Sequence, residues 1–190
     1  MDDKILLDAN ALYSQPLRMV FLNLVQLDEC TTQFFWTDKI DAEWSNALIH
    51  RYPESKDVII KQVNSIKASF FDRYVLGYES LINQLDLPDP DDRHVLAATV
   101  KTGCNIIATD NIKDFPAKLL AEYGVRAMTR DELMCFLFTN EKKGVMLALD
   151  NFARVYKDPE ITVEDLLIKL DRSVPSFTHL VRESCLKNPV

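Results

Sequence analysis

Short apolar runs alternate with longer amphipathic stretches through the first two thirds of the chain. Lys4-Ile5-Leu6-Leu7 stops abruptly at Asp8-Ala9-Asn10, which predicts a buried strand of a parallel sheet with Asp8 at its carboxyl end. Pro16 to Val25 carries helically spaced apolar residues, with the proline near the start, where a helix tolerates it. Phe34-Phe35-Trp36 predicts a second strand. Thr37 or Asp38 then caps a helix to about Arg51, with Ile40, Trp44, Ala47 and Leu48 on one face. After Pro53, the residues Val58, Ile59, Val63, Ile66 and Phe70 mark another amphipathic helix, while Tyr74 to Leu85 fits neither period. Leu87-Pro88-Asp89-Pro90 is a loop, because two prolines and an aspartate forbid regular structure there. Asp91 or Asp92 opens a helix that Gly103 closes with a left-handed cap. Cys104 to Thr109 reads as the third strand and Asp110-Asn111 as the loop leaving it. Asp114-Phe115-Pro116 starts a short helix through Leu120, and Val125 to Met128 is a last strand.

This order is that of an α/β sandwich around a mostly parallel sheet. The character changes after Thr129. Asp131–Thr139, Lys142–Tyr156, Thr162–Leu170 and Pro175–Leu186 all read as helices, with Lys157-Asp158-Pro159-Glu160 separating the second from the third. The expected organisation is an α/β domain over residues 1–130 and an all-helical extension over 131–190.

Composition narrows the functional classes. With 47 % apolar and 27 % charged residues in a chain of 190, disorder and fibrous structure are excluded. No apolar run reaches the ~20 residues a membrane span needs, and the acidic start, Met1-Asp2-Asp3, does not suit a signal or transit peptide. Cys30, Cys104, Cys135 and Cys185 are scattered and form no zinc-binding spacing. They read as apolar residues of a reducing compartment, so a cytoplasmic protein is expected. The net charge of −7 disfavours nucleic-acid binding by the surface as a whole. It leaves open a nucleic-acid enzyme whose acids converge on divalent cations.

The acids have a pattern that permits such convergence. Strand carboxyl ends and the helix N-termini after them share one edge of a parallel α/β sheet, and ligands bind there. That edge receives Asp8 from the first strand, Glu43 from the helix after the second, Asp92 from the helix after the Pro-rich loop, and Asp110 and Asp114 from the loop after the third. Clustered carboxylates suit hard cations such as Mg²⁺ or Mn²⁺ and repel one another without them. Plainer readings stand beside this one. Asp92 and Asp114 suit helix caps, Glu43 suits a solvated helix face, and Asp86, Asp89 and Asp91 suit exposed loop positions. Asp8, directly after three apolar residues, should be partly buried and needs partners. Of the three histidines His94 lies two residues after Asp92, about opposite it on the helix, and reads as surface or packing. His50, Arg51, Lys56, Lys61, Lys67 and Arg73 bring positive charge near the same edge, mostly as solvated surface. Nothing resembles a P-loop, a dinucleotide fingerprint or a nucleophile triad.

Three segments together resemble the signature segments of PIN domains: Ile5-Leu6-Leu7-Asp8-Ala9-Asn10, Leu87-Pro88-Asp89-Pro90-Asp91-Asp92-Arg93-His94-Val95-Leu96-Ala97-Ala98, and Ile107-Ala108-Thr109-Asp110-Asn111-Ile112-Lys113-Asp114-Phe115-Pro116. The likeness covers roughly residues 3–128 and is nearest to VapC-type toxin ribonucleases of bacterial toxin–antitoxin operons. It implies a PIN-like three-layer sandwich and a Mg²⁺- or Mn²⁺-dependent endoribonuclease that hydrolyses RNA with a metal-activated water. The residues implied as catalytic and metal-binding are Asp8, Glu43, Asp92 and Asp114, with Asp110 a weaker metal ligand. Asp91 is the alternative to Asp92, Asn111 to Asp110, and Asp41 to Glu43. The resemblance also implies an antitoxin partner and a homodimer. The competing readings are a non-catalytic PIN-like interaction module and an Asp-nucleophile phosphatase. The phosphatase would want an aspartate at position 10, where Asn10 stands.

Overall fold

The computed structural model describes residues 3–155 and 159–187. Tyr156, Lys157 and Asp158, where one helix was expected to end and the break to begin, lie outside the described residues, as do Met1 and Asp2. The chain forms two compact units. One takes the N-terminal residues through Tyr13 with Thr32–Ala127. The other takes Ser14–Thr31 with the residues from Met128 on.

The first unit is α/β. Its elements are β1 (Lys4–Leu7), α1 (Ala9–Tyr13), β2 (Gln33–Phe35), α3 (Asp38–Arg51), α4 (Lys56–Ser69), α5 (Glu79–Ile82), α6 (Arg93–Thr102), β3 (Ile106–Ala108), α7 (Ala117–Ala121) and β4 (Arg126–Met128), with α2 (Gln15–Val25) intervening after α1. The sheet among the described residues has the order β2-β1-β3-β4. β1 runs parallel to both neighbours, with Ile5 opposite Phe34 on one side and Ile106 on the other. The expected α/β class with a parallel sheet is therefore what the chain adopts. Strand β1 carries fully buried Ile5, Leu6 and Leu7 because helices cover both faces of such a sheet. The chain moves from β1 to β2 on one side and then to β3 on the other. The crevice at which strand order reverses thus opens between the carboxyl ends of β1 and β3.

Local signals account for most boundaries. The Thr37 hydroxyl caps α3, accepting from the Ile40 N–H at 3.1 Å, and Gly103 closes α6 at φ 66°, a conformation that costs glycine little. Where apolar faces were misjudged, a polar partner explains it. The buried stripe of α3 is Ile40, Asp41, Trp44 and Ser45, while Ala47 is exposed. Asp41 can be buried because Trp44 Nε1 donates to it at 2.8 Å and the Tyr74 hydroxyl donates to its other oxygen. This commits Asp41 to the core, and burial pushes the Tyr74 phenol well above its usual range. On α4 only Ile59 and Ile66 are buried, whereas Val58 is 70 % exposed.

The second unit is helical: α2, α8 (Arg130–Asn140), α9 (Lys142–Val155), α10 (Val163–Leu170) and α11 (Pro175–Lys187). Helix α2 packs on α9 and α10, and α8 packs on α9 and α11. Phe138 and Phe177 meet edge-to-face at 6.0 Å. Capping boxes start α8 (Thr129 with Glu132) and α10 (Thr162 with Asp165). The Asp131 carboxylate accepts from the Ser176 and Phe177 N–H groups at the start of α11. Gly144 lets α9 approach the end of the α2 segment, since a Cβ there would stand 2.3 Å from Cys30 Sγ.

Candidate functional site

Asp8 ends β1 with its side chain only 6 % exposed. Its carboxylate is well supplied with donors. Ala9 N–H donates to Oδ1 at 2.7 Å, and Oδ2 accepts from Asn10 Nδ2 at 2.8 Å and from the Thr109 hydroxyl at 2.8 Å. Thr109, fully buried at the end of β3, is the hub of this edge. Its oxygen also accepts from Asn10 Nδ2 and from the Asn111 N–H. Asn111 Nδ2 then donates to Asp92 Oδ2 at 3.0 Å. An unbroken chain of hydrogen bonds therefore joins Asp8, at the end of β1, to Asp92, at the mouth of α6.

Asp92 occupies the N-cap position of α6 yet makes no capping hydrogen bond with its side chain, so the plainer reading of this residue fails. Asp89 caps the short 3-10 turn Pro90–Asp92 that leads into α6, accepting from the Asp91 N–H at 2.9 Å. Asp89, Asp92 and Asp114 each offer an oxygen within 4.8 Å of the others. Such crowding has an electrostatic consequence. Burial first, then the charges of Asp8, Asp89 and Asp114, push the Asp92 carboxyl up to about 6. Burial also raises Asp8, assisted by the charge of Glu43 and opposed by the Thr109 and Ala9 hydrogen bonds.

Glu43, on α3, is half-buried, and its Oε1 lies 3.0 Å from His94 Nε2 and 3.9 Å from Lys39 Nζ. The nominated acids thus separate by place. Asp92 and Asp114 sit in one tight group. Asp8 is tied to Asp92 through Thr109 and Asn111, and Glu43 reaches the site as a charge acting on Asp8. Asp110 is exposed and stands outside the three-carboxylate group, its backbone N–H bonded to Asn10 Oδ1 at 2.9 Å. Asp91, the alternative to Asp92, is exposed as well.

Two participants escaped the sequence reading. Asp89 was set among the solvated loop acids, and the signal that could have found it is its place directly before Pro90 and one turn before Asp92. His94, assigned to the opposite face from Asp92, is 2 % exposed and turned onto Glu43. Its partner comes from α3, and local periodicity carries no information about that.

An all-oxygen set of three close carboxylates, one of them pushed up to about 6 by burial and then by its neighbours, fits Mg²⁺ or Mn²⁺ and suits no soft metal. Over 112 residues the chain is 33 % identical to a protein of Mycobacterium tuberculosis (strain ATCC 25618 / H37Rv) named "Putative ribonuclease VapC50". The match covers 57 % of this chain and 64 % of the relative, so the chain spans a little under two thirds of the length of the curated relative it matches. No family model matches the chain. No solved structure matches it either.

Proposed function

We propose that the α/β unit is a divalent-metal-dependent endoribonuclease of the PIN type and that the protein is the toxin of a VapBC-like pair. The observation that carries this reading is the carboxylate group of Asp89, Asp92 and Asp114, joined by hydrogen bonds to Asp8 at the β1–β3 crevice. The similarity to a protein named as a ribonuclease supports it.

Asp8, Asp92 and Asp114 would hold Mg²⁺ or Mn²⁺, with Asp89 beside them and Glu43 contributing from α3. Loaded with the ion, such a site supplies a more acidic water and neutralises charge on a phosphodiester. The chain's own part is to bring the acids together and hold them there. Thr109 and Asn10 orient Asp8, and Asn111 orients Asp92. Crowded anions are costly without a cation, so the site is poised to take one up. Asn10 is an amide spent on Asp8 and Thr109, and it offers no acid for a phosphatase mechanism. The partners of this reading are an RNA substrate and a cognate antitoxin protein.

The test is cleavage of total RNA by the purified protein with Mn²⁺ and with EDTA, alongside Asp8→Asn. Cleavage that needs the metal and disappears in the variant is expected. Cleavage surviving both EDTA and the substitution, or none under any condition, would sink the reading.

A further inference from the structure

We propose that His94 is the positioning residue of Glu43, fixing the orientation of that carboxylate at the acidic site through Nε2. The inference rests on the metal-site reading above and deepens it.

Glu43 rides on α3 with its side chain 36 % exposed, and three side-chain torsions leave it free to swing into solvent. Two cationic or donor groups approach it. Lys39, one turn earlier on the same helix, is 47 % exposed and 3.9 Å away, an arrangement that holds a carboxylate only loosely. His94 differs in each respect. It projects from α6, it is 2 % exposed, and Nε2 stands 3.0 Å from Oε1. A packed ring is a rigid anchor, and an exposed lysine is not.

The other ring nitrogen makes the case sharper. Among the described residues, Nδ1 of His94 is buried with no hydrogen-bond partner. A histidine kept for core structure normally has its buried polar atoms satisfied. Here the imidazole is desolvated, and Nε2 is turned onto Glu43. Its neighbours Val95 and Leu96 are fully buried aliphatic residues, so an apolar side chain would serve packing at this position without the cost of burying a polar ring. The contact with Glu43 is what Nε2 adds. Residues that orient a ligand from behind in this way commonly change metal affinity by about 10–100-fold when removed.

The experiment is Mn²⁺ titration of the full chain, read by the spin-resonance signal of free Mn²⁺, with thermal melting in EDTA to verify folding. His94→Leu should weaken Mn²⁺ binding about tenfold. His94→Gln, whose amide N–H reaches the place of Nε2, should recover most of that loss. His94→Asn, whose amide falls where Nδ1 lies, should not, and it carries the test should the leucine variant not fold. Adding His94→Leu to Glu43→Gln should weaken binding no further than Glu43→Gln alone, because both remove one interaction. A folded His94→Leu with wild-type affinity, a loss additive with Glu43→Gln, or a Gln variant no better than Asn overturns the inference. Unaltered protein that binds no Mn²⁺ overturns the metal reading and this inference together. Binding lost in Asp8→Asn but indifferent to His94 overturns the inference alone.

Discussion

Asp92 illustrates how a residue can be held against its own preference. Its carboxyl is pushed up to about 6 in the folded chain against an ordinary 3.8. Between about pH 4 and pH 6 the folded state therefore keeps a proton that the unfolded chain has released, and stability of the metal-free protein falls as pH rises through that window. Asp92→Asn should accordingly raise the melting temperature in EDTA at pH 7.5 by about 2 °C and change it little at pH 4. Thermal melts at the two pH values check this. Thr109 makes the opposite case, since its buried hydroxyl serves Asp8, Asn10 and Asn111 at once. Thr109→Val should cost about 1–3 kcal/mol by urea denaturation, because a valine leaves those polar atoms with a missing partner. At this scale the sequence was informative where a charge interrupts an apolar run. Asp8 after Ile5-Leu6-Leu7 announces a buried anion needing donors. It was silent on His94, because what distinguishes that residue is Glu43 on a different helix.

Elements follow local rules more faithfully than side chains do. Four tail helices were expected, and α8 to α11 stand at the expected places, with a capping residue announcing α8 and α10 and a proline opening α11. The short α1 went unread, since five residues leave too little period to detect. Exposure on α4 was misjudged for a related reason: periodicity marks an apolar stripe but not how much of it another element covers. Gly144 on α9 gives a test of helix approach. Gly144→Ala should destabilise the protein by about 1 kcal/mol or more, because the new methyl meets Cys30 Sγ. In a Cys30→Ala background the same change should stabilise by up to about 1 kcal/mol, the helical preference of alanine over glycine. The two-way comparison by chemical denaturation distinguishes crowding from a general intolerance of the site.

For the whole molecule the formal charge is −7, and a further cluster of anions faces the β1–β3 crevice. The proposed RNA substrate is a polyanion, so on that reading both charge and site oppose its approach until divalent cations are bound. Mn²⁺ should raise the melting temperature in proportion to RT ln(1 + [Mn²⁺]/Kd), about 2.7 kcal/mol at a hundredfold excess over Kd. Asp92→Asn should abolish most of that gain. No described helix is long and apolar enough to cross a membrane.

The helical unit draws on two distant stretches of chain, Ser14–Thr31 and the residues from Met128 on. During synthesis α2, with Leu17, Val20, Phe21 and Leu24 buried in the fold, must wait for more than a hundred residues before α9 exists to pack on it. A premature stop after about residue 130 would therefore do more than trim the end. It would release a polypeptide with an oily helix near its start left bare, a substrate for chaperones and proteases.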